Sequence, residues 1–340
     1  MPPQKRKSPP SSMPSPSVVA PERSLTDEDF AVGPRVDGMI RESLEIEYQD
    51  AKSAKMLGYM SRSLVQATLP HTDPKASYYE RTSGVITLSI TGRPSIGIPY
   101  GSLPRTLLAW ICSEAVRTQS QYLDLGRSQT EFLKKMGLGT GGSYTRPLKD
   151  QATRLFSSLI TVTSSNSNQL GLGNTVIARN ANLFWNPRNP DERSLWQSEL
   201  TLTSDFYQDV TAAPVPIDLR VLHELKKSPL AMDIYVWASY RQFLLKAGQQ
   251  GFVRIPWAAL QAQFGSGYGQ DALAKIQDAK QRQAKEKQAL WNFKHNFLKR
   301  LNEVGIFYPE LTAGISDCPK FLTMKSVKLH IPRQFAAETA

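Results

Sequence analysis

The chain repeats itself, and the repeat limits what it can fold into. Leu103-Pro104-Arg105-Thr106-Leu107-Leu108-Ala109-Trp110 opens a helix that runs to about Gln119. A second helix, Ser128 to Met136, begins at a serine N-cap with Glu131 three residues on, which makes a capping box, and stops at Gly137. After a glycine-rich turn, the spacing predicts a third helix from about Thr145 to Leu159. Its apolar face is Leu148, Ala152, Leu155, Phe156 and Leu159. β-rich segments follow at Ile160–Val162 and Asn174–Trp185. Ser228-Pro229-Leu230-Ala231-Met232-Asp233-Ile234-Tyr235-Val236-Trp237 then echoes the first helix, tryptophan included. Pro256–Phe264 is the second helix again, closed by Gly265. Ala289–Val304 is the third, with Leu290, Phe293, Phe297, Leu301 and Val304 on one face. Strands are expected at Ile306–Tyr308 and Phe321–Leu329. From the tryptophan to the glycine that ends the second helix is 27 residues in one unit and 28 in the other.

Helix, short helix, turn, amphipathic helix and β-hairpin is the order of a winged helix-turn-helix. The expected architecture is therefore α+β, with tandem winged helix-turn-helix domains at residues 99–210 and 211–335. Residues 35–98 read as a lead-in: a helix from about Arg35 to Ala67, then a β-hairpin. Ile40, Leu44, Ile46, Leu57, Met60, Leu64 and Val65 set the helical pattern, which stops at Pro70. The hairpin has one strand at Val85–Ile90, a turn at Thr91–Pro94 and a short return at Ser95–Ile98. Residues 1–34 form a Pro/Ser-rich tail expected to be disordered. Its Gln4-Lys5-Arg6-Lys7-Ser8 cluster reads equally as a nuclear address, a nucleic-acid arm or a solvated basic tip, and no function is assigned to it.

Composition narrows the partners. A chain of 340 residues accommodates about two domains. Its 41 Lys and Arg against 30 Asp and Glu give a net charge of +11, which favours a polyanion, either nucleic acid or an acidic membrane surface. Two cysteines, Cys112 and Cys318, cannot build a disulfide framework or a Cys-rich zinc site. The four histidines are far apart, with no H-x-H or H-E-x-x-H spacing. No run approaches the roughly 20 apolar residues of a membrane helix, and no secretory signal opens the chain. The expectation is a cytoplasmic protein with no membrane partner, no metal and no cofactor. Gly137-Leu138-Gly139-Thr140-Gly141-Gly142 matches G-x-G-x-x-G literally, but a polar capped helix precedes it where the dinucleotide fingerprint needs a strand. The glycines read as a turn between helices. No phosphate loop of the G-x-x-x-x-G-K-[ST] type is present.

The excess charge is local. Residues 101–160 carry +4, residues 271–300 carry +5 and residues 313–333 carry +3, while the first hundred positions nearly cancel. Opposite the apolar stripe of the first third helix lie Arg146, Lys149, Asp150, Thr153 and Arg154. Ser143, Tyr144 and Thr145 stand at its start, and Arg127 precedes the second helix. The corresponding set in the second unit is Asn292, His295, Lys299 and Arg300, with Lys285 and Lys287 before it. Arg179 and Arg188, and Lys325 and Lys328 of the last hairpin, are candidate wing contacts to phosphates. Arg pairs with guanine edges, Asn with adenine, and Lys neutralises phosphate. One such helix alone is better explained as a solvated amphipathic helix. The tandem arrangement and the basic field turn the reading towards duplex DNA. None of these residues forms a catalytic constellation, so no enzymatic activity is expected.

The run from Ile98-Pro99-Tyr100-Gly101-Ser102-Leu103-Pro104-Arg105 through Glu114-Ala115-Val116-Arg117-Thr118 resembles bacterial plasmid-encoded RepA-type replication initiators. The resemblance continues through Leu125-Gly126-Arg127-Ser128, Glu131-Phe132, Gly137-Leu138 and Thr140-Gly141-Gly142 to Gln151-Ala152-Thr153-Arg154-Leu155-Phe156. Leu57-Gly58-Tyr59-Met60-Ser61-Arg62 and Leu69-Pro70-His71 are similar to the same family's helical lead-in. Pro147 departs from the pattern and is expected in the first helical turn, where a missing N–H is tolerated. The resemblance implies a protein that binds repeated sites at a plasmid origin, promotes local duplex opening and recruits host replication proteins, an initiator and a helicase. It also implies repression of its own promoter and thereby copy control, and it leaves monomer and homodimer open. The alternatives are a dedicated winged-helix transcriptional repressor and an origin-nicking endonuclease. The latter needs a histidine metal pair beside a tyrosine, and the chain has no such pair.

Overall fold

The structure is a computed structural model that describes residues 57–66, 68–83, 86–166, 169–265 and 278–331. The expected disordered tail, its basic cluster and most of the lead-in helix lie outside these residues.

The first unit begins with α2 (Ser102–Thr118), following β1 (Leu57–Met60), α1 (Arg62–Gln66), β2 (Tyr78–Ser83) and β3 (Ile86–Thr91). Eleven of the 17 residues of α2 are buried, among them Leu107, Leu108, Ile111 and Cys112. A helix apolar over most of its circumference is placed in a core. Next come β4 (Tyr122–Gly126), α3 (Gln129–Lys135) and α4 (Gly142–Phe156), then β5 (Leu159–Asn166), β6 (Gln169–Val176), β7 (Ala178–Asn182) and β8 (Ser198–Leu202). In β4 exposed and buried residues alternate, with Leu123 and Leu125 inward. Its partner is β8, which in turn pairs with β7, so the sheet order is β4-β8-β7, all antiparallel.

The second unit repeats the helix-strand-helix-helix order and the two last strands, with a short helix where the first has β5 and β6. After α5 (Ser204–Ala212), β9 (Val215–Asp218) and α6 (Leu219–Glu224) comes the central helix α7 (Pro229–Ala247), with 15 of 19 residues buried. It is followed by β10 (Phe252–Pro256), α8 (Trp257–Phe264), α9 (Ala279–Phe307), α10 (Pro309–Ala313), β11 (Ile315–Asp317) and β12 (Phe321–Lys325). The sheet order is β10-β12-β11, again with the strand after the first helix paired to the last strand. The tryptophan of each first helix meets the phenylalanine of the second edge to face. Trp110 lies 4.8 Å from Phe132 at 88°, and Trp237 lies 5.5 Å from Phe264 at 81°.

Several sequence expectations are corrected. Leu57–Met60 is a strand, not part of a helix, because it pairs antiparallel with β9 from Leu57↔Asp218 to Met60↔Val215. Only Arg62–Gln66 of the described lead-in is helical. Ser95–Ile98 is no return strand: the Arg93 carbonyl accepts from the amides of both Ile96 and Gly97 in a tight turn. The partners of β3 are β2 and β5, within a four-stranded sheet β2-β3-β5-β6. In the second unit the third helix starts at Ala279 and continues through Ile306 and Phe307, where a strand was expected, and β12 ends at Lys325. The first third helix spans 142–156, which puts Pro147 in its second turn. The proline removes the amide that would have bonded the Ser143 carbonyl, next to an exposed glycine entry.

The lead-in ties the units together. The Ser61 and Ser63 hydroxyls each donate to Asp209 Oδ2 on α5 at 2.5 Å, while Thr68 Oγ1 donates to the Gln263 carbonyl on α8 at 3.0 Å.

Candidate nucleic-acid interface

The second helix of the first unit is fixed by its cap. Ser128 Oγ accepts from the Glu131 amide at 3.1 Å, and the Glu131 carboxylate turns back to accept from the Arg127 amide at 3.0 Å. The turn after α3 is closed at Gly137, whose φ of +70° lies in the left-handed region that favours glycine. A Cβ there would sit 2.6 Å from His223 Cε1 on α6. These glycines serve chain reversal between two helices.

The same strap recurs in both units. Lys149 on α4 donates Nζ to the Trp185 carbonyl at 2.8 Å, and Lys294 on α9 donates Nζ to the Cys318 carbonyl at 3.1 Å. In each case a lysine of the third helix holds the connection between the last two strands. A second tie comes from the second helix: the Thr130 amide donates to the Pro190 carbonyl at 3.1 Å, and the Trp257 amide to the Lys320 carbonyl at 3.0 Å. Trp185 is buried and stacks on Phe132 at 5.0 Å, and Lys294 lies over the Trp257 ring at 5.0 Å. Third helix and hairpin connection thus form one rigid surface in each unit.

The expected contact residues separate on this surface. Arg127, Ser143 and Arg146 are exposed, and Arg146 has no ion-pair partner among the described residues. Tyr144 is half-buried under Lys226, whose Nζ lies 5.6 Å from the ring centre. Thr145 is 3% exposed and belongs to the core. Its carbonyl accepts from Gln129 Nε2. Lys149 is spent on its strap, and Thr153 Oγ1 donates to the Lys149 carbonyl at 2.7 Å. Arg154 folds back: Nε pairs with Asp150 at 2.9 Å, Nη1 donates to the Ile98 carbonyl at 3.4 Å, and the guanidinium lies over Tyr100. The helical wheel points these last three outward, but neighbouring segments cover them. Arg179 and Arg188 are exposed on β7 and in the β7–β8 connection.

On α9, about 43 Å long at 1.5 Å per residue, Lys285, Lys287, Asn292, His295 and Lys299 are all exposed. Asn292 Oδ1 accepts from Gln288 at 2.9 Å, and His295 stacks on Trp291 at 5.7 Å and 9°. Arg300 is half-buried and pairs with Glu303 at 2.5 Å. Lys325 and Lys328 are exposed at the end of the last hairpin. Sequence reasoning missed the exposed Trp291, legible as the i−4 neighbour of His295. It also missed Lys226 and Lys294, which only the tertiary structure brings to the surface described here.

These features define a basic α+β protein built from two like units, each presenting a third helix strapped to a β-hairpin. Residues 98–258 match the model of the family described as plasmid encoded RepA protein, so this span is similar to that family. Its fold is similar to that of domains 2 and 3 of RctB, solved as selenomethionine derivatives, at 10% identity over 78% of this chain and 96% of that chain, with a TM-score of 0.46. A second RctB structure, of domains 2–3, gives 13% identity over 63% of this chain and 82% of that one, with a TM-score of 0.39. No curated protein sequence matches the chain significantly. Among the described residues no helix is long and apolar enough to cross a membrane, and no cluster of three or more His, Cys, Asp or Glu is placed to hold a metal.

Proposed function

We propose that this chain is a plasmid replication initiator that binds repeated duplex sites at its origin through two winged helix-turn-helix units. The observation that carries the reading is the duplicated sheet order, β4-β8-β7 and β10-β12-β11, with a lysine strap in each unit. The two straps tie a third helix to each hairpin connection, which supports a reading in which the helix enters the major groove and the hairpin reaches the flanking backbone. Arg146 in one unit and Asn292, His295 and Lys299 in the other supply groups for base edges and phosphates. Opening of the duplex would draw on binding energy, since smoothly bending a 20–30 bp site costs on the order of 1–6 kcal/mol. No catalytic residue is needed, and host replication proteins would complete initiation. Binding over the promoter would repress the chain's own synthesis.

Footprinting of the purified chain on its plasmid tests this. Two protected patches about 10–10.5 bp apart are expected at each site, on a fragment that replicates when the protein is supplied in trans. A protected promoter without origin replication would make the chain a dedicated repressor. A strand-specific nick with protein bound to the 5′ end would overturn the reading.

A further inference from the structure

The two hairpin connections differ in one respect that the DNA-binding reading does not use. In the second unit the β11–β12 turn is short, Cys318-Pro319-Lys320, and the hairpin carries lysines. In the first, the β7–β8 connection runs over residues 183–197 and exposes Leu195 at 95% and Trp196 at 69%. Adjacent large apolar side chains left in water mark an interaction site.

These two residues do not ride on a loose loop. The connection is pinned at its root by buried Trp185 and the Lys149 strap, and at mid-length by the Thr130–Pro190 bond. Next to the tip, the Ser194 amide donates to the Arg127 carbonyl at 3.0 Å, and Ser194 Oγ accepts from the Trp196 amide at 3.1 Å. A pre-ordered loop loses little entropy on binding. Its neighbours identify the occupant. Exposed Arg127 lies at one side and α4 with exposed Arg146 lies against the root, while exposed Arg193 precedes the tip after exposed Asp191 and Glu192, the latter accepting from Asn186 Nδ2 at 2.7 Å. An exposed leucine–tryptophan pair on an ordered connection held against α4, with Arg127 and Arg193 beside it, suits a base stack, because apolar side chains inserted between base steps unstack and kink a duplex.

We infer that Leu195 and Trp196 form a wedge that enters the minor groove beside the site read by α4 and opens one base step. The inference rests on the DNA-binding reading above. It adds deformation of the base stack to the contacts that α4 makes in the first unit.

The test places 2-aminopurine at successive positions across the flank of the footprint and donor and acceptor dyes at the fragment ends. The wild-type chain should brighten one position and shorten the end-to-end distance. Leu195→Ala with Trp196→Ala should abolish both signals and weaken binding about tenfold, the scale of one lost aromatic–base contact. Trp196→Phe in the Leu195 background should restore the brightening, and unchanged melting temperatures establish that each variant is folded. If the wild-type chain binds but perturbs no base step, the wedge is wrong while the DNA-binding reading stands. If the double variant bends and unstacks DNA like wild type, the wedge is wrong. If the wild-type chain does not bind the fragment, the underlying reading fails.

Discussion

Arg105 of α2 and Asp233 of α7 form a two-pronged ion pair, Nε to Oδ1 and Nη2 to Oδ2, both at 2.7 Å. The pair joins the first helices of the two units in the interior, where the Arg105 side chain is 5% exposed. The remaining guanidinium protons are used: Arg105 donates to the carbonyls of Leu69 at 2.6 Å, Pro70 at 3.2 Å and Gly101 at 2.6 Å. Burial alone would push the Asp233 carboxyl up, yet the Arg105 charge and the His71 hydrogen bond hold it below the usual carboxylate range. First unit, second unit and lead-in therefore meet at one ionic joint.

Removing one partner leaves a buried charge uncompensated, which costs about 3–5 kcal/mol. Arg105→Ala should lose stability on that scale in urea unfolding, and Asp233→Ala should match it. A loss below about 1 kcal/mol, the size of an exposed pair, would mean that the joint is not held by this contact.

Acid should loosen the same joint. His71 is buried, and burial together with the Arg105 charge holds its pKa below 6.5 despite the hydrogen bond to Asp233 at 2.8 Å. His223 and His330 are also held below 6.5 by burial, His223 with help from Lys226. A base with a depressed folded pKa is neutral in the native state, while the unfolded chain takes up its proton. Its contribution is complete above 6.5 and is lost as pH falls from there towards the folded pKa. The melting temperature should drop between pH 7 and 5, and His71→Gln should flatten part of that slope. An equal slope in the variant would remove His71 from the account.

What the sequence revealed and what it hid follow one physical division. The α3 cap was legible because Ser128 and Glu131 act on their own helix within one turn. Trp110 and Trp237 were legible as equivalents because the same periodicity surrounds both. By contrast β1 read as helix, since Leu57 and Met60 fit a helical step, and only pairing to β9 makes it a strand. The short strands β4 and β10 were missed for the same reason, their partners β8 and β12 arriving about 70 or more residues later. At the candidate interface the wheel gave the outward side of α4 but could not foresee that the β7–β8 connection captures Lys149, or that Asp150 and the Ile98 carbonyl draw Arg154 inward.

Gly137 offers a sharper check on the turn whose glycines match the dinucleotide fingerprint only literally. Its φ of +70° and the 2.6 Å approach of His223 Cε1 penalise any side chain. Gly137→Ala should destabilise by about 1–3 kcal/mol, the cost of a non-glycine residue in left-handed backbone. Gly141 has φ −72° and nothing within 4 Å of an added Cβ. Gly141 is the N-cap of α4, where glycine is favoured over alanine, so Gly141→Ala should cost less than Gly137→Ala, on the order of 0.5–1 kcal/mol. Similar melting temperatures for the two variants would show that the turn is not built as described.

Arg146 and Arg154, eight residues apart on α4, differ in what they touch. Arg146 is exposed on α4 with no ion pair among the described residues, so its loss leaves the fold intact. Arg154 is tied to Asp150, the Ile98 carbonyl and the Tyr100 ring, and its Nη1 lies 2.5 Å from where a Cβ on Gly97 would stand. Arg146→Ala should leave the melting temperature unchanged and weaken binding to the footprinted site. If its contact is to phosphate, the slope of log affinity against log salt falls by about one unit; if it pairs with a guanine, the loss is about 1–3 kcal/mol and specificity relaxes at one position. Arg154→Ala should lower the melting temperature, since it frees a buried carbonyl and removes packing on Tyr100, and should leave the salt slope at the wild-type value. An Arg146→Ala chain that binds with wild-type affinity and slope would show that α4 does not read the DNA, whatever the second unit contributes.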